Sequence, residues 1–177
     1  MRQRGVRDPS TYGTPEEEAR RALKKAVDLL SRRGYATSEL RKRLERQGPP
    51  EAAASAVARL EAAGFLDDGA WAASYVDGPR GRERSRAMLR RDLRSKGVED
   101  EVAASALAEH DDRAAALETA RKRVRSLMRL EPEVRARRLR DYLLRRGFSG
   151  SVVRATLEVV LTSVPGDDLD GFASLGE

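Results

Sequence analysis

The chain has 177 residues, of which 36% are charged and 5% aromatic, with no cysteine and a formal net charge of +6. That composition excludes disulfides, thiolate metal sites and cysteine nucleophiles, and it favours thin amphipathic elements over a wide aromatic core. No apolar run approaches membrane-spanning length, and the basic start, MRQRGVRDPS, lacks an apolar signal core, so a soluble cytoplasmic protein is expected.

Helix signals dominate from the first turn onward. At Thr14-Pro15-Glu16-Glu17 the threonine can cap, proline fits the first helical position and Glu17 completes a capping box. Ala19, Ala22, Leu23, Ala26, Val27 and Leu30 then recur on one helical face, and Gly34 is expected to supply a left-handed stop. Thr37 is expected to cap a second helix carrying Leu40 and Leu44 and ending at Gly48-Pro49-Pro50. A third helix with Val57 and Leu60 runs to Gly64. Phe65 and Leu66 are expected to pack between units, and Asp67 or Asp68 to cap the next helix, with Trp71, Tyr75 and Val76 on its apolar face. PRG at 79–81 breaks that helix. Leu89 and Leu93 mark a fifth, ended by Gly97, and Val102, Ala103, Ala106 and Leu107 a sixth. Asp111-Asp112 restarts the cycle: Ala116, Leu117, Ala120, Val124, Leu127 and Met128 line a seventh helix, Leu139 and Leu143 an eighth, and Val152, Val153, Leu157 and Val160 a ninth.

The register is that of a repeat. Leu40, Leu89 and Leu139 recur in step with Leu44, Leu93 and Leu143 and with Gly48, Gly97 and Gly147, a period of about 50 residues that is typical of helical arrays. The leucines bury one stripe, and each glycine is expected to end its helix at φ > 0. Val98 and Phe148, just after the glycine, can staple onto Ala103 and Val153. The expected architecture is all-α, with three tandem three-helix repeats, about nine helices, stacked into an elongated, curved array. Units of 14–66, 67–111 and 112–161 are flanked by a flexible basic tail at 1–13 and a flexible acidic tail at 162–177. Units this thin are expected to draw part of their core from stacked neighbours.

No catalytic constellation is present: there is no Gly-rich phosphate loop, nucleophile elbow or zinc-type spacing. No catalytic, cofactor-binding or metal residue is assigned. His110 lacks nearby Cys or His and is read as a surface residue or dipole partner. The pairs Asp67-Asp68 and Asp111-Asp112 precede helices and read as caps rather than Mg²⁺ ligands, and Asp167-Asp168 lies in the tail. Trp71 and Tyr75 are read as packing residues rather than a base-stacking platform.

The basic balance, with a pI near 10.0, points to an anionic partner, either nucleic acid or an acidic protein surface. Only Lys24, Lys25, Lys42, Lys96 and Lys122 are lysines among 35 basic residues, and alanine is abundant, a bias that GC-rich coding produces without any ligand. A helix ending at glycine before another helix also resembles a helix-turn-helix, which makes a DNA-binding transcriptional regulator the alternative. Against it, the helices after the turn are poor in basic groups, with Arg59 in the first, none between Asp100 and Glu109, and Arg154 in the third, whereas a reading helix enters the major groove. The basic residues sit on the middle helices instead: Arg41, Lys42, Arg43 and Arg46; Arg90, Arg91, Arg94 and Lys96; Arg135, Arg137, Arg138, Arg140, Arg145 and Arg146. Arg41, Arg90 and Arg140 each follow the first core leucine, about 100° around the helix from the buried stripe. The candidate contact residues are Arg41, Arg46, Arg90, Arg91, Arg94, Arg138, Arg140 and Arg146.

Across residues 19–161 the chain resembles the RecX family, bacterial regulators of the RecA recombinase. The resemblance rests on LLSRRGYATSELRKRLERQG, GFLDDGAWAASYV, PRGRERSRAMLRRDLRSKGV and LRDYLLRRGFSGSVVRATL. It is most specific in the GFLDD element followed by Trp71-Ala72, where Trp71 replaces the usual phenylalanine, and in RRGF at 145–148. The prolines after Gly48 and the acidic tail depart from the common pattern. The chain is expected to be monomeric, cofactor-free and non-enzymatic, and the resemblance implies a regulator of recombination, DNA repair and the SOS response. It would bind RecA and its filament on single-stranded DNA and inhibit recombinase, ATPase and coprotease activities. Contacts limited to phosphates would add weak, non-specific DNA binding, and no membrane is involved.

Overall fold

The structure, a computed structural model, describes residues 13–162. The basic segment 1–12, the acidic segment 163–177 and the Asp167-Asp168 pair lie outside the described residues. Among the described residues there are nine α-helices and no strand: α1 (Pro15–Leu30), α2 (Thr37–Glu45), α3 (Pro50–Ala62), α4 (Asp68–Asp77), α5 (Arg86–Ser95), α6 (Asp100–Ala106), α7 (Asp112–Val124), α8 (Pro132–Leu144) and α9 (Gly150–Thr162). A 3-10 turn, Arg125–Leu127, prolongs α7. The helices form three tandem units of three, and in each unit the first and third helices make the broadest contact.

Local chemistry accounts for the boundaries. The Thr14 hydroxyl accepts the Glu17 N–H, and the Glu17 carboxylate accepts the Thr14 N–H, the reciprocal box that begins α1. α1 ends at Leu30, earlier than Gly34, and Gly34 is not left-handed. A Cβ there would lie 3.0 Å from Trp71 Cδ1, so Gly34 is small because an indole rests on it. Val27, on the expected apolar face, is exposed, because the buried stripe of α1 runs narrowly through Glu18, Ala26 and Leu29.

Each unit has its own core. Leu40, Leu44, Val57 and Leu60 pack with Ala26 and Leu29 in the first. Leu89, Leu93, Val98, Ala103 and Leu107 pack with Ala72 and Val76 in the second. Leu139, Leu143, Phe148, Val153 and Leu157 pack with Ala116 and Ala120 in the third. Val98 with Ala103 and Phe148 with Val153 therefore share cores as the staple requires. The expectation that neighbours complete each core is corrected: among the described residues only Ala36, just before α2, joins the core of the following unit. Alanine-rich first helices let three helices approach closely enough to close a small core unaided.

Polar clips join the units instead. The middle helices lie tail to head, the C-terminal end of α5 on the first turn of α2 and that of α8 on the first turn of α5. Gly97 and Gly147 are left-handed, at φ 81° and 84°; a Cβ at Gly97 would strike the Ser38 side chain, and one at Gly147 would lie 2.6 Å from Ser85 Oγ. Gly48 is not left-handed. Pro49 restricts its backbone, and among the described residues a Cβ there would approach only Glu18 Oε2, at 4.0 Å.

The aspartate pairs divide their labour. Asp67 caps its own helix by accepting the Ala70 N–H, and Asp111 does the same for Arg113. Asp68 reaches back to accept the Thr37 N–H of α2 at 2.7 Å, and Asp112 accepts the Arg86 N–H of α5 at 2.6 Å. Thr37 is thus the first helical residue rather than the cap, and α2 takes its capping oxygen from the next unit. Two further expectations are corrected. Leu66 is buried, but Phe65, directly after left-handed Gly64 and with its N–H on Leu60 O, faces outward. Met128 is exposed because the 3-10 turn tightens the chain ahead of it.

Candidate partner-binding surface

The middle helices present their arginines because their leucines are committed inward. Leu40, Leu89, Leu93, Leu139 and Leu143 are fully buried, and Leu44 nearly so. On α2, Arg41, Lys42, Arg43 and Arg46 are exposed; on α5, Arg90, Arg91 and Arg94; on α8, Arg137 and Arg138.

The eight candidates separate into two groups. Arg41, Arg90, Arg91 and Arg138 are exposed and have no carboxylate within ion-pair distance among the described residues. The others are engaged. Arg46 Nε donates to Lys42 O, and Arg94 forks onto both oxygens of Asp100 at 3.0 Å. Half-buried Arg140 pairs with Asp141, and half-buried Arg146 lies 3.6 Å over the Tyr142 ring while reaching Glu83 at 3.2 Å. Arg146 also gives its carbonyl to the Ser85 N–H, which makes it a junction residue between the second and third units. Arg135 is buried, with Nη2 donating to Leu130 O. Arg41 and Arg90 therefore keep the expected equivalent, outward register, and Arg140, their counterpart, does not.

Sequence reasoning did not single out the junction of the first two units. Glu39 accepts from Arg33 Nη2 at 2.9 Å and Lys96 Nζ at 3.0 Å. Burial would raise this carboxyl, but the hydrogen bonds from Arg33 and Lys96 outweigh it and hold the pKa below the ordinary value. The Arg33 guanidinium lies 3.7 Å over the Tyr35 ring, and hydrogen bonding to Glu39 raises its pKa. Trp71 stacks on Tyr75 at 5.2 Å and packs against the second core, as expected of packing residues. The Tyr75 hydroxyl donates to Asp92, which also pairs with Arg84; burial, then the Asp92 charge, push its pKa up.

His110 is not a surface residue. Its side chain is 8% exposed, with Nε2 at 3.0 Å from Arg84 O. The Arg86 guanidinium donates to Ala108 O and His110 O, tying α5 to the end of the same unit. Sequence reasoning also passed over Arg121, Arg125 and Arg129, which are exposed on and just after α7; their spacing of four was the available signal.

Among the described residues, no group of three or more His, Cys, Asp and Glu is arranged to hold a metal ion, and no helix is long and apolar enough to cross a membrane. A groove of about 860 Å³ at the α2–α3 turn is lined by Glu16, Glu18, Glu45 and Glu51 with Pro49, Pro50 and Ser55. The arrangement offers fixed charge on rigid helices, suited to contact with an extended anionic surface.

Comparison with known proteins gives the family. The profile described as "RecX, third three-helix domain" matches residues 111–157, and "RecX, first three-helix domain" matches 22–60. The regulatory protein RecX of Prosthecochloris aestuarii is 33% identical over 155 residues, 84% of this chain and 99% of its own length. That of Mycobacterium ulcerans is 36% identical over 162 residues, 88% of this chain and 91% of its own length. The crystal structure of RecX from Lactobacillus salivarius, at 17% identity, shares the fold with a TM-score of 0.63 over 82% of this chain and 97% of that one. A second crystal structure of regulatory protein RecX, 26% identical, gives 0.64 over 80% and 73%. From both ends of the array and from relatives spanning nearly its whole length, the chain belongs to the RecX family of regulatory proteins.

Proposed function

We propose that this chain is a monomeric, non-enzymatic modulator of the RecA recombinase that binds RecA and its filament on single-stranded DNA. It lowers strand exchange, ATP hydrolysis and coprotease activity by occupying filament surface, with no chemistry of its own. The observation that carries this reading is the pair Arg41 and Arg90: each follows a fully buried leucine, each points outward, and neither is neutralised. Arg91 and Arg138 extend the unpaired set. Guanidinium groups fixed on packed helices lose little freedom on pairing with carboxylates or phosphates, which favours their use in recognition.

The test is charge reversal. Arg41→Glu, Arg90→Glu and Arg138→Glu together should leave the helical circular dichroism signal unchanged, because all three side chains are exposed, and should weaken inhibition of RecA ATP turnover at least tenfold in required concentration. Undiminished inhibition by the folded triple variant would remove these residues from the mechanism. A strong preference for one duplex sequence at moderate salt would favour the transcriptional alternative.

A further inference from the structure

Positive charge is unevenly spread along the array. Residues 112–161 carry 13 basic and 6 acidic residues, against 8 and 10 in 67–111 and 11 and 8 in 14–66. The third unit thus holds most of the excess, and part of it lies on and just after α7. On α7, Lys122 pairs with Glu118 at 2.8 Å, and Arg123 lies 5.0 Å over the Tyr142 ring. Arg121, Arg125 and Arg129 have neither an ion pair nor a ring contact among the described residues, and all three are exposed.

Their placement is regular. Arg121 and Arg125, four apart, share a stripe on the side of the helix opposite buried Ala116, Thr119 and Ala120. Arg129 follows after the 3-10 turn. Four residues of helix advance about 6 Å, a step comparable with the distance between neighbouring phosphates on an extended strand. The equivalent outer stripe of α4 carries Ala70, Ala73, Ser74 and Asp77, with no basic group, and that of α1 has mixed charge, with Asp28 paired to Arg32. A general coding bias toward arginine would have loaded all three first helices alike.

We propose that Arg121, Arg125 and Arg129 form a second anion-binding surface, separate from the middle-helix arginines, whose ligand is the phosphate backbone of nucleic acid. The stripe carries no aromatic side chain on which a base would stack, and exposed Met128 is a single apolar side chain beside it rather than the apolar centre a protein interface buries. Its contacts are therefore to phosphates alone, indifferent to sequence and steeply dependent on salt.

Fluorescence anisotropy of the full chain with a labelled oligothymidylate and with a mixed-sequence duplex, without RecA, tests this. The variant Arg121→Gln, Arg125→Gln, Arg129→Gln is compared with Arg20→Gln, Arg59→Gln, Arg154→Gln, which changes net charge equally at exposed positions elsewhere. At low salt the stripe variant should lose about tenfold or more in affinity for both probes. Its log–log salt slope on the single strand should flatten by about 2, the value for three lost phosphate contacts, and the control should stay within about threefold of wild type. Equal losses in the two variants, an unaffected stripe variant, or no binding by the wild-type chain at low salt would each overturn the proposal. Because RecA is absent, its failure is separable from failure of the filament reading.

Discussion

Gly97 and Gly147 end their helices in the left-handed region and each also lies against a serine of the preceding unit, so a side chain there is opposed twice. Gly97→Ala and Gly147→Ala should each cost about 1–3 kcal/mol in denaturant unfolding. Gly48→Ala, with neither constraint, should be neutral or stabilising by up to about 1 kcal/mol. The second aspartate of each pair is a cap lent to a neighbour: Asp68→Ala and Asp112→Ala should each cost about 1 kcal/mol, and Asp→Asn at either position should recover most of it, because the amide oxygen still accepts. Glu39 gives the first junction a pH dependence. Its carboxyl pKa is lowered in the folded chain, so the stabilisation it supplies is complete above the unfolded carboxyl value, about 4.3, and is lost as pH falls through the depressed folded value. Urea midpoints measured from pH 6 to pH 3 should show this acid-side loss in the wild-type chain and a reduced one in Glu39→Gln.

At the scale of elements, the middle helix is the most legible part of the sequence. Two leucines four apart mark its buried face in all three units, the arginine after the first leucine faces outward in the first two, and a left-handed glycine ends it in the last two. Less legible were positions decided by contacts distant in the chain. Nothing local to Gly34 says that Trp71 covers it, and nothing local to Thr37 says that its N–H meets Asp68. Phe65 and Leu66 are equally apolar, and only the left-handed turn at Gly64 decides which one faces inward. The candidate surface was legible to the same extent: position and exposure follow from the register, but whether an arginine is neutralised depends on Asp100, Asp141 or Glu83 arriving nearby. Because each unit closes its own core, Leu40→Ala should cost about 2–5 kcal/mol and accelerate amide hydrogen exchange in α1–α3 while leaving protection in α7–α9 near the wild-type level. Uniform acceleration across all nine helices would show that the cores unfold as one.

As a whole molecule, the chain is three small helical cores joined by carboxylate caps, close-packed glycines and ion pairs. Such an array holds charged groups at fixed intervals along its length, while each joint depends on a few polar contacts. That construction suits surface occupancy of an extended partner and requires no cleft. Under the proposed function, binding alone, with no turnover by this chain, suppresses the recombinase. The most direct measurement follows ATP turnover by RecA on single-stranded DNA as this chain is added in steps. Inhibition should be complete shortly after each addition, stop growing with time, saturate at a fixed ratio of chain to filament and reverse when salt is raised. Unchanged ATP turnover at saturating chain, or inhibition that deepens with time at a trace amount of chain, would contradict the account.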